Sequence, residues 1–344
     1  MRPTGIKQVA QRAGVSLGTV SNVLNRPETV APETRQRVLD AIAELGYVRN
    51  DSARQLRAGR SRTIALVVLD VANPFFADVV RGAEVAAEER GAVVVICNSR
   101  EDAARERLHL ERLEEQRVLG VLITPVDDTP GSRLEGLIAR GTPVVLVDRG
   151  AGRYNRCSVA VDDVAGGRLA GQHLLDLGHR RIAFVGGPFA LAQVTDRHEG
   201  LASVTAGRAT LTVVTTPSLT VAEGRAAARA IVAASPRTRP TAVFCANDLL
   251  ALGVLQELTL AGVRVPDEIA ILGYDDIEFA AAAAVPLSSI RQPREQLGQT
   301  AAELLLDEVN NPDKHGHRHV VFQPDLVVRD STGAAPQRPT RSPG

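Results

Sequence analysis

The sequence predicts an α/β protein, with a small all-α helix-turn-helix head followed by a body of two doubly wound, mostly parallel sheets. Three observations lead there. The first sixty residues read as three short helices punctuated by glycine and proline. From Thr63 the pattern changes to short β-branched runs alternating with alanine-rich helical stretches, as in parallel sheets covered on both faces. The alternation lasts about 270 residues, more than one ordinary sheet uses, so two lobes are expected, with a break at Val161–Asp163.

In the head, one helix is expected over Ile6–Ala13, ended by Gly14. A second is expected over Leu17–Leu24, with Ser16 as N-cap, and a third over Pro32–Leu45. Pro32 suits a first helical position and Gly46 the position past the end, although Ala31 offers no cap. Val38, Ile42 and Leu45 recur at helical spacing and should face a small core. In the body, strands are expected at Thr63–Leu69, Ala92–Cys97, Gly120–Ile123, Val144–Val147 and Ser158–Val161. Further strands are expected at Ile182–Val185, Thr241–Phe244, Ile269–Leu272 and Ser288–Arg291. Helices fill gaps between them at Ala77–Arg90, Arg105–Gln116, Val164–Leu177, Ala222–Ala234, Leu249–Ala261 and Arg294–Val309.

Composition narrows the function. Net charge is zero over 344 residues, but it is unevenly distributed. Residues 1–62 hold eleven bases against five acids, and the remaining 282 hold 29 against 35. A basic head on an acidic body is the electrostatic footprint of a nucleic-acid-binding module joined to something else. No stretch approaches the roughly 18–20 apolar residues of a membrane span. Met1-Arg2-Pro3-Thr4-Gly5 leads into a polar helix, so a cytoplasmic location and no membrane partner are expected. Cys97, Cys157 and Cys245 are far apart and read as buried free thiols, without disulfide or metal spacing. His315, His317 and His319 alternate as on one strand face, which suggests metal, but their charged surroundings favour a solvated loop. No metal or cofactor is expected. No dinucleotide, phosphate-cradling or nucleophile-elbow motif occurs, and the adjacent Asp275 and Asp276 are a poor basis for a glycosidase pair, so the chain is not expected to be an enzyme. Residues 331–344, rich in Pro, Ser, Gly and Arg, read as a disordered tail.

The segment from Ile6 to Asn25 fits a helix-turn-helix. Ala10 is small at a helix crossing, Gly14 can take positive φ in the turn, and Val15 and Val20 pack inward. The second helix then displays Leu17, Gly18, Thr19, Ser21 and Asn22 to a major groove. With Val30–Val38, Leu45-Gly-Tyr47 and the stretch from Asn50 to Leu56, this order resembles the LacI/GalR family of bacterial repressors, and the resemblance runs on to Asp330.

The resemblance implies the following expectations. Residues 1–49 form the DNA-binding head, 50–62 a hinge helix and linker, and 63–330 a two-lobed, periplasmic-binding-protein-like effector and dimerisation domain. Leu17, Gly18 and Asn22 are the base-reading positions, and asparagine can make two hydrogen bonds to an adenine edge. Ser16, Thr19, Ser21 and Asn25 hold phosphates or the fold, with capping the alternative for Ser16 and Asn25. In the hinge, Leu56 is a minor-groove wedge, and Asn50, Ala53 and Arg57 lie beside it. The partner is a palindromic operator in double-stranded DNA bound by a homodimer.

Polar residues recur just past strand ends in the body, at Asp70, Asn73, Asp148-Arg149, Asp162-Asp163, Asn247-Asp248 and Asp275-Asp276. Carboxyl ends of strands leave a crevice for ligands, although such residues also cap the next helix. The resemblance makes Asn73, Phe75, Phe76, Asp148, Arg149, Arg197, Asn247 and Asp275 effector contacts and a sugar or sugar derivative the expected ligand. Leu219 stands where sugar binders often carry an aromatic ring, and the chain has no tryptophan. Two other classes fit parts of the pattern: a periplasmic-type sugar-binding protein, and a hydrolase or dehydrogenase on an α/β scaffold.

Overall fold

The computed structural model describes residues 5–47, 61–126, 132–152 and 154–333. The chain divides into two compact units, residues 1–60 and 61–344.

The head contains α1 (Ile6–Ala13), α2 (Leu17–Asn25), a 3-10 turn at Pro27–Thr29 and α3 (Pro32–Leu45). Gly14 ends α1 in the left-handed region at φ 66°. The Val15 amide reaches back to the Ala10 carbonyl at 3.0 Å, closing the turn. The Ser16 hydroxyl accepts from the Thr19 amide at 3.1 Å and so starts α2. Val9, Ala10, Ala13, Val20, Val23, Val38 and Ala41 form the core, with Ile42 and Leu45 packed at its margin. So small a core leaves little reserve stability. The exposed Arg12–Glu44 pair between α1 and α3 adds at most about 1 kcal/mol.

The body opens with β1 (Thr63–Val68), α4 (Pro74–Glu88), β2 (Val93–Asn98), α5 (Ala103–Glu115), β3 (Gly120–Ile123), α6 (Arg133–Ala139), β4 (Val144–Val147) and β5 (Cys157–Val161). Next come α7 (Asp163–Asp176), β6 (Arg181–Gly186), α8 (Ala192–Thr205), β7 (Thr210–Thr215), α9 (Val221–Ala233), β8 (Ala242–Cys245), α10 (Asp248–Leu260) and β9 (Ala270–Asp275). The short α11 (Glu278–Ala281), β10 (Ser288–Arg291), α12 (Arg294–Asn310), β11 (His319–Phe322) and β12 (Asp325–Val327) complete it. Among the described residues no helix is long and apolar enough to cross a membrane.

The strands form two six-stranded sheets, ordered β11-β5-β4-β3-β1-β2 and β12-β10-β9-β8-β6-β7. All pairings are parallel except β10 with β12. The central strands are buried along their length, which accounts for their near-continuous runs of Val, Ile and Leu. The expected break after Val161 is one of three passages between lobes. The chain returns to the first lobe with α12, which packs on β3, β4 and β5, and with β11, then crosses again to β12.

Three helix pairs pack backbone against backbone through reciprocal glycines. A Cβ on Gly82 of α4 would lie 1.9 Å from the Glu295 carbonyl oxygen, and one on Gly298 of α12 would lie 1.8 Å from that of Val79. Gly167 and Gly200 join α7 to α8 in the same way, and Gly224 and Gly253 join α9 to α10. No larger residue fits at these crossings without parting the helices.

Three expectations need correction. The tail does not begin at Ser331. The buried Ser331 hydroxyl donates to the Ile271 carbonyl at 2.6 Å and accepts from the Ser288 amide, while Thr332 meets Ser288 and His173. Residues 334–344 lie outside the described residues. The loop of the three histidines is not fully solvated, since the His315 side chain is 1% exposed and His317 is half-buried, while the exposed His319 opens β11 in register with Ser158. Cys157 and Cys245 are buried free thiols, but Cys97, on the edge strand β2, is only half-buried.

Candidate functional site

Helix α2 turns Val20 and Val23 into the head core. Leu17, Gly18 and Asn22 are therefore left exposed on its outer face, with Thr19 and Ser21 half-exposed. Ser16 and Asn25 have structural partners at the two ends. Ser16 also meets the Thr19 hydroxyl at 2.9 Å, and the Asn25 amide donates to the Ser21 carbonyl at 2.7 Å. Asn50, Ala53, Leu56 and Arg57 lie outside the described residues.

In the body, both lobes line one cleft at the carboxyl ends of their strands. The first lobe contributes Leu69, Asn73, Phe75, Phe76 and Asp148; the second contributes Leu191, Gln193, Val194, Arg197, Leu219, Asn247 and Asp275. The enclosed cavity measures only about 30 Å³, within about 340 Å³ of space that includes the open mouth, so a sugar-sized ligand needs the lobes to part. Asn73 caps α4 by accepting from the Phe75 amide at 3.0 Å, and Asn247 caps α10 by accepting from the Leu250 amide at 2.9 Å. Cap and cleft lining are thus one role at these positions, because a helix that starts at a strand's carboxyl end starts beside the crevice.

Arg197 is buried in a cage of acceptors. Its Nε donates to Asp163 at 2.7 Å and its Nη1 to the Ala246 carbonyl at 2.8 Å, with Asp275 4.0 Å away. The guanidinium lies 3.8 Å from the centre of the Tyr274 ring, a cation–π contact in a dry setting. Gln193 reaches across from α8 to donate to the Asp148 carbonyl at 2.7 Å and to its Oδ2 at 3.1 Å. The buried Asp148 Oδ1 has no hydrogen-bond partner among the described residues. Gln292 donates to Asp275 at 2.7 Å.

One arginine among three buried carboxylates leaves negative charge in excess. Burial, then repulsion from Asp163, pushes the Asp148 carboxyl well above the usual range. Burial likewise pushes Asp275 up to about 6, against the pull of Arg197 and Gln292. Both aspartates sit in the left-handed backbone region, at φ 54° and 103°, a strain of about 1–3 kcal/mol each that the surrounding fold must hold. Such a cleft favours a ligand rich in neutral hydrogen-bond donors.

Residues 5–50 match the profile of bacterial regulatory proteins of the lacI family, and residues 172–332 match that of a periplasmic binding protein-like domain. The chain is 35% identical over 332 residues to the HTH-type transcriptional repressor PurR of Aliivibrio fischeri, covering 95% of this chain and 97% of that one. It belongs to the LacI family. The lac repressor dimer bound to operator and the anti-inducer ONPF superposes with a TM-score of 0.82 at 29% identity, over 97% of this chain and all of that one. The transcriptional regulator CelR in complex with cellobiose gives 0.70 at 35% identity, over 96% of this chain and all of its own. This LacI-family chain is a DNA-binding transcriptional repressor with an effector-binding domain, and the family is one of regulators, not enzymes.

Of the expected effector residues, Asn73, Phe75, Phe76, Asp148, Arg197, Asn247 and Asp275 line the cleft, and Arg149 does not. Both phenylalanines are also core residues, set edge to face with ring centres 5.0 Å apart. Asp248 and Asp276 do not cap helices. Asp248 accepts from the Ser289 hydroxyl and the Ile277 amide, and Asp276 is ion-paired with Arg291 and Arg329. Asp163 pairs with Arg197, and its neighbour Asp162 caps α7. The sequence reading missed Gln193. It sits at the start of a helix whose buried face mixes Gln193, Arg197 and Thr205 with Val194 and Leu201, so no apolar period marks it.

Proposed function

We propose that the protein is a cytoplasmic homodimer that represses from a near-palindromic operator and responds to a sugar or sugar derivative bound in the cleft. Residues 1–49 read DNA, 50–62 form the hinge, and 63–330 bind effector and pair the subunits. The observation that carries the reading is the buried, partnerless Asp148 Oδ1, in the same cleft as Asp275, Arg197 and Asn247. Hydroxyl groups supply donors for the two carboxylates, while Phe75, Phe76 and Leu219 offer apolar walls to a ring face. The cellobiose named for the CelR complex supports the sugar class.

In the head, Asn22 reads a base edge, Leu17 contacts a thymine methyl, and Gly18 leaves its position weakly read. Ser16, Thr19, Ser21 and Asn25 orient the helix on phosphates, while Leu56, flanked by Asn50, Ala53 and Arg57, opens the central base step. Homodimerisation is supported by the edge strand β2, which exposes Val93, Val95 and Ile96, with Val85 of α4 and Leu108 of α5 also exposed. Because the cleft draws on both lobes, a ligand there biases their arrangement, and it shifts operator affinity only by its differential affinity for the two arrangements.

The test is a gel-shift titration on an operator selected from random duplexes, with mono- and disaccharides, their phosphates, and planar heterocycles of similar size. A sugar should change operator affinity by about 5- to 150-fold, and Asp275→Ala should abolish that response without loss of DNA binding. Response to a heterocycle alone would overturn the sugar class. No selected sequence at all would overturn operator recognition.

A further inference from the structure

We propose that Cys157, His315 and His317 form a binding site for a divalent zinc-class cation in the first lobe. Cys157 begins β5, and both histidines lie just before β11, so the cluster sits at the amino ends of the strands while the cleft is at their carboxyl ends. The three donor atoms all lie within 4.8 Å of one another. Cys157 Sγ is 3.2 Å from His315 Nε2 and 3.9 Å from His317 Nδ1. A tetrahedral cation with sulfur at about 2.3 Å and nitrogen at about 2.0 Å needs a sulfur–nitrogen separation of roughly 3.5 Å, which these distances bracket.

The surroundings orient the donors. His315 Nδ1 is bonded to Asp307 Oδ2 at 2.8 Å, which directs the Nε2 lone pair at the sulfur; a carboxylate behind a metal-binding imidazole does the same. In the free site the Cys157 thiol donates its proton towards that His315 Nε2. A cation entering displaces that proton to solvent and forms the metal–sulfur bond.

The proton on His317 must change sides. Arg156 donates to His317 Nε2 at 2.8 Å, which holds the ring proton on Nδ1 in the free form. Coordination through Nδ1 moves that proton to Nε2 and turns Arg156 away. Glu308 can receive it: its carboxylate is 4.0 Å from Arg156 Nη1, and its buried Oε2 has no partner among the described residues. Three protein donors leave a fourth position for water or a small ligand.

The experiment is a cobalt(II) titration of untagged, full-length protein followed by absorbance. A thiolate-to-cobalt charge-transfer band with tetrahedral visible bands should saturate at one ion per chain and be bleached by zinc. Cys157→Ser should remove the charge-transfer band, and His317→Asn, at a partly exposed site, should weaken cobalt by at least about tenfold. His319→Ala should change neither, because His319 Nδ1 is engaged by the Ser158 hydroxyl at 3.1 Å. Absence of the band in the wild-type protein overturns the proposal, as does an unchanged spectrum in Cys157→Ser or unchanged affinity in folded His317→Asn.

Discussion

Asp275 holds its proton to about pH 6 because water is excluded around it and Arg197 is shared with Asp163. Unfolded, the same carboxyl releases its proton near its ordinary value of 3.8. Between those limits the native state binds more protons than the unfolded one, so this group's contribution to stability falls as pH rises from about 4 to about 6. A shift of that size corresponds to at most about 3 kcal/mol. Asp275→Asn keeps an acceptor for Gln292 without the charge. Its stability relative to wild type, from urea midpoints, should therefore rise between pH 4.5 and 6.5 and level off above. On the head, Asn22→Ala should relax base preference at one position per half-site by about 1–3 kcal/mol, measured by competition among operator variants. These residues were legible in the sequence because each is a polar side chain at a strand end or on a displayed helix face. Gln193 was not, since only the tertiary approach of α8 to Asp148 gives it a task.

Helices and strands depend on different information. The helix of the turn motif announced itself through Ser16 and Gly14, and its ends fall within a residue of expectation. Ser16→Ala should cost about 1 kcal/mol of head stability by thermal melting. The reciprocal glycines are costlier to change. Gly298→Ala must move the Val79 backbone and should cost about 3 kcal/mol or more, seen as a fall in the Tm of the body. Gly18→Ala is the contrast, since its nearest neighbour would be the Ser16 hydroxyl at 3.6 Å, and stability should hold or rise by about 1 kcal/mol. Strands β7, β11 and β12 escaped the sequence reading. All three are edge strands, half-exposed, and β11 is secured by pairing Val320 with Val159 across most of the body. Such pairing is long-range, and a four-residue run that opens on a histidine and stops two residues before a proline does not advertise it.

At the scale of the molecule, the alternation of strands and helices was enough to foresee two parallel sheets, but not the return of α12 and β11 to the first lobe. The exposed edge at β2 carries a prediction of its own. Val95→Glu should weaken self-association by about 2 kcal/mol or more, roughly thirtyfold in Kd, by analytical ultracentrifugation, and operator affinity should fall with it.

The late return of α12 and β11 also sets an order of assembly at the ribosome. A nascent chain that has emerged only as far as Val161 has β1 to β5 but lacks the helix that covers β3, β4 and β5. Its uncovered apolar sheet face invites chaperones or self-association until Phe322 has been synthesised. The second lobe, whose strands β6 to β10 are contiguous in the chain, can collapse before the first one closes. Premature termination between Val161 and Arg294 should therefore yield insoluble fragments, detectable by pelleting of stalled translation products.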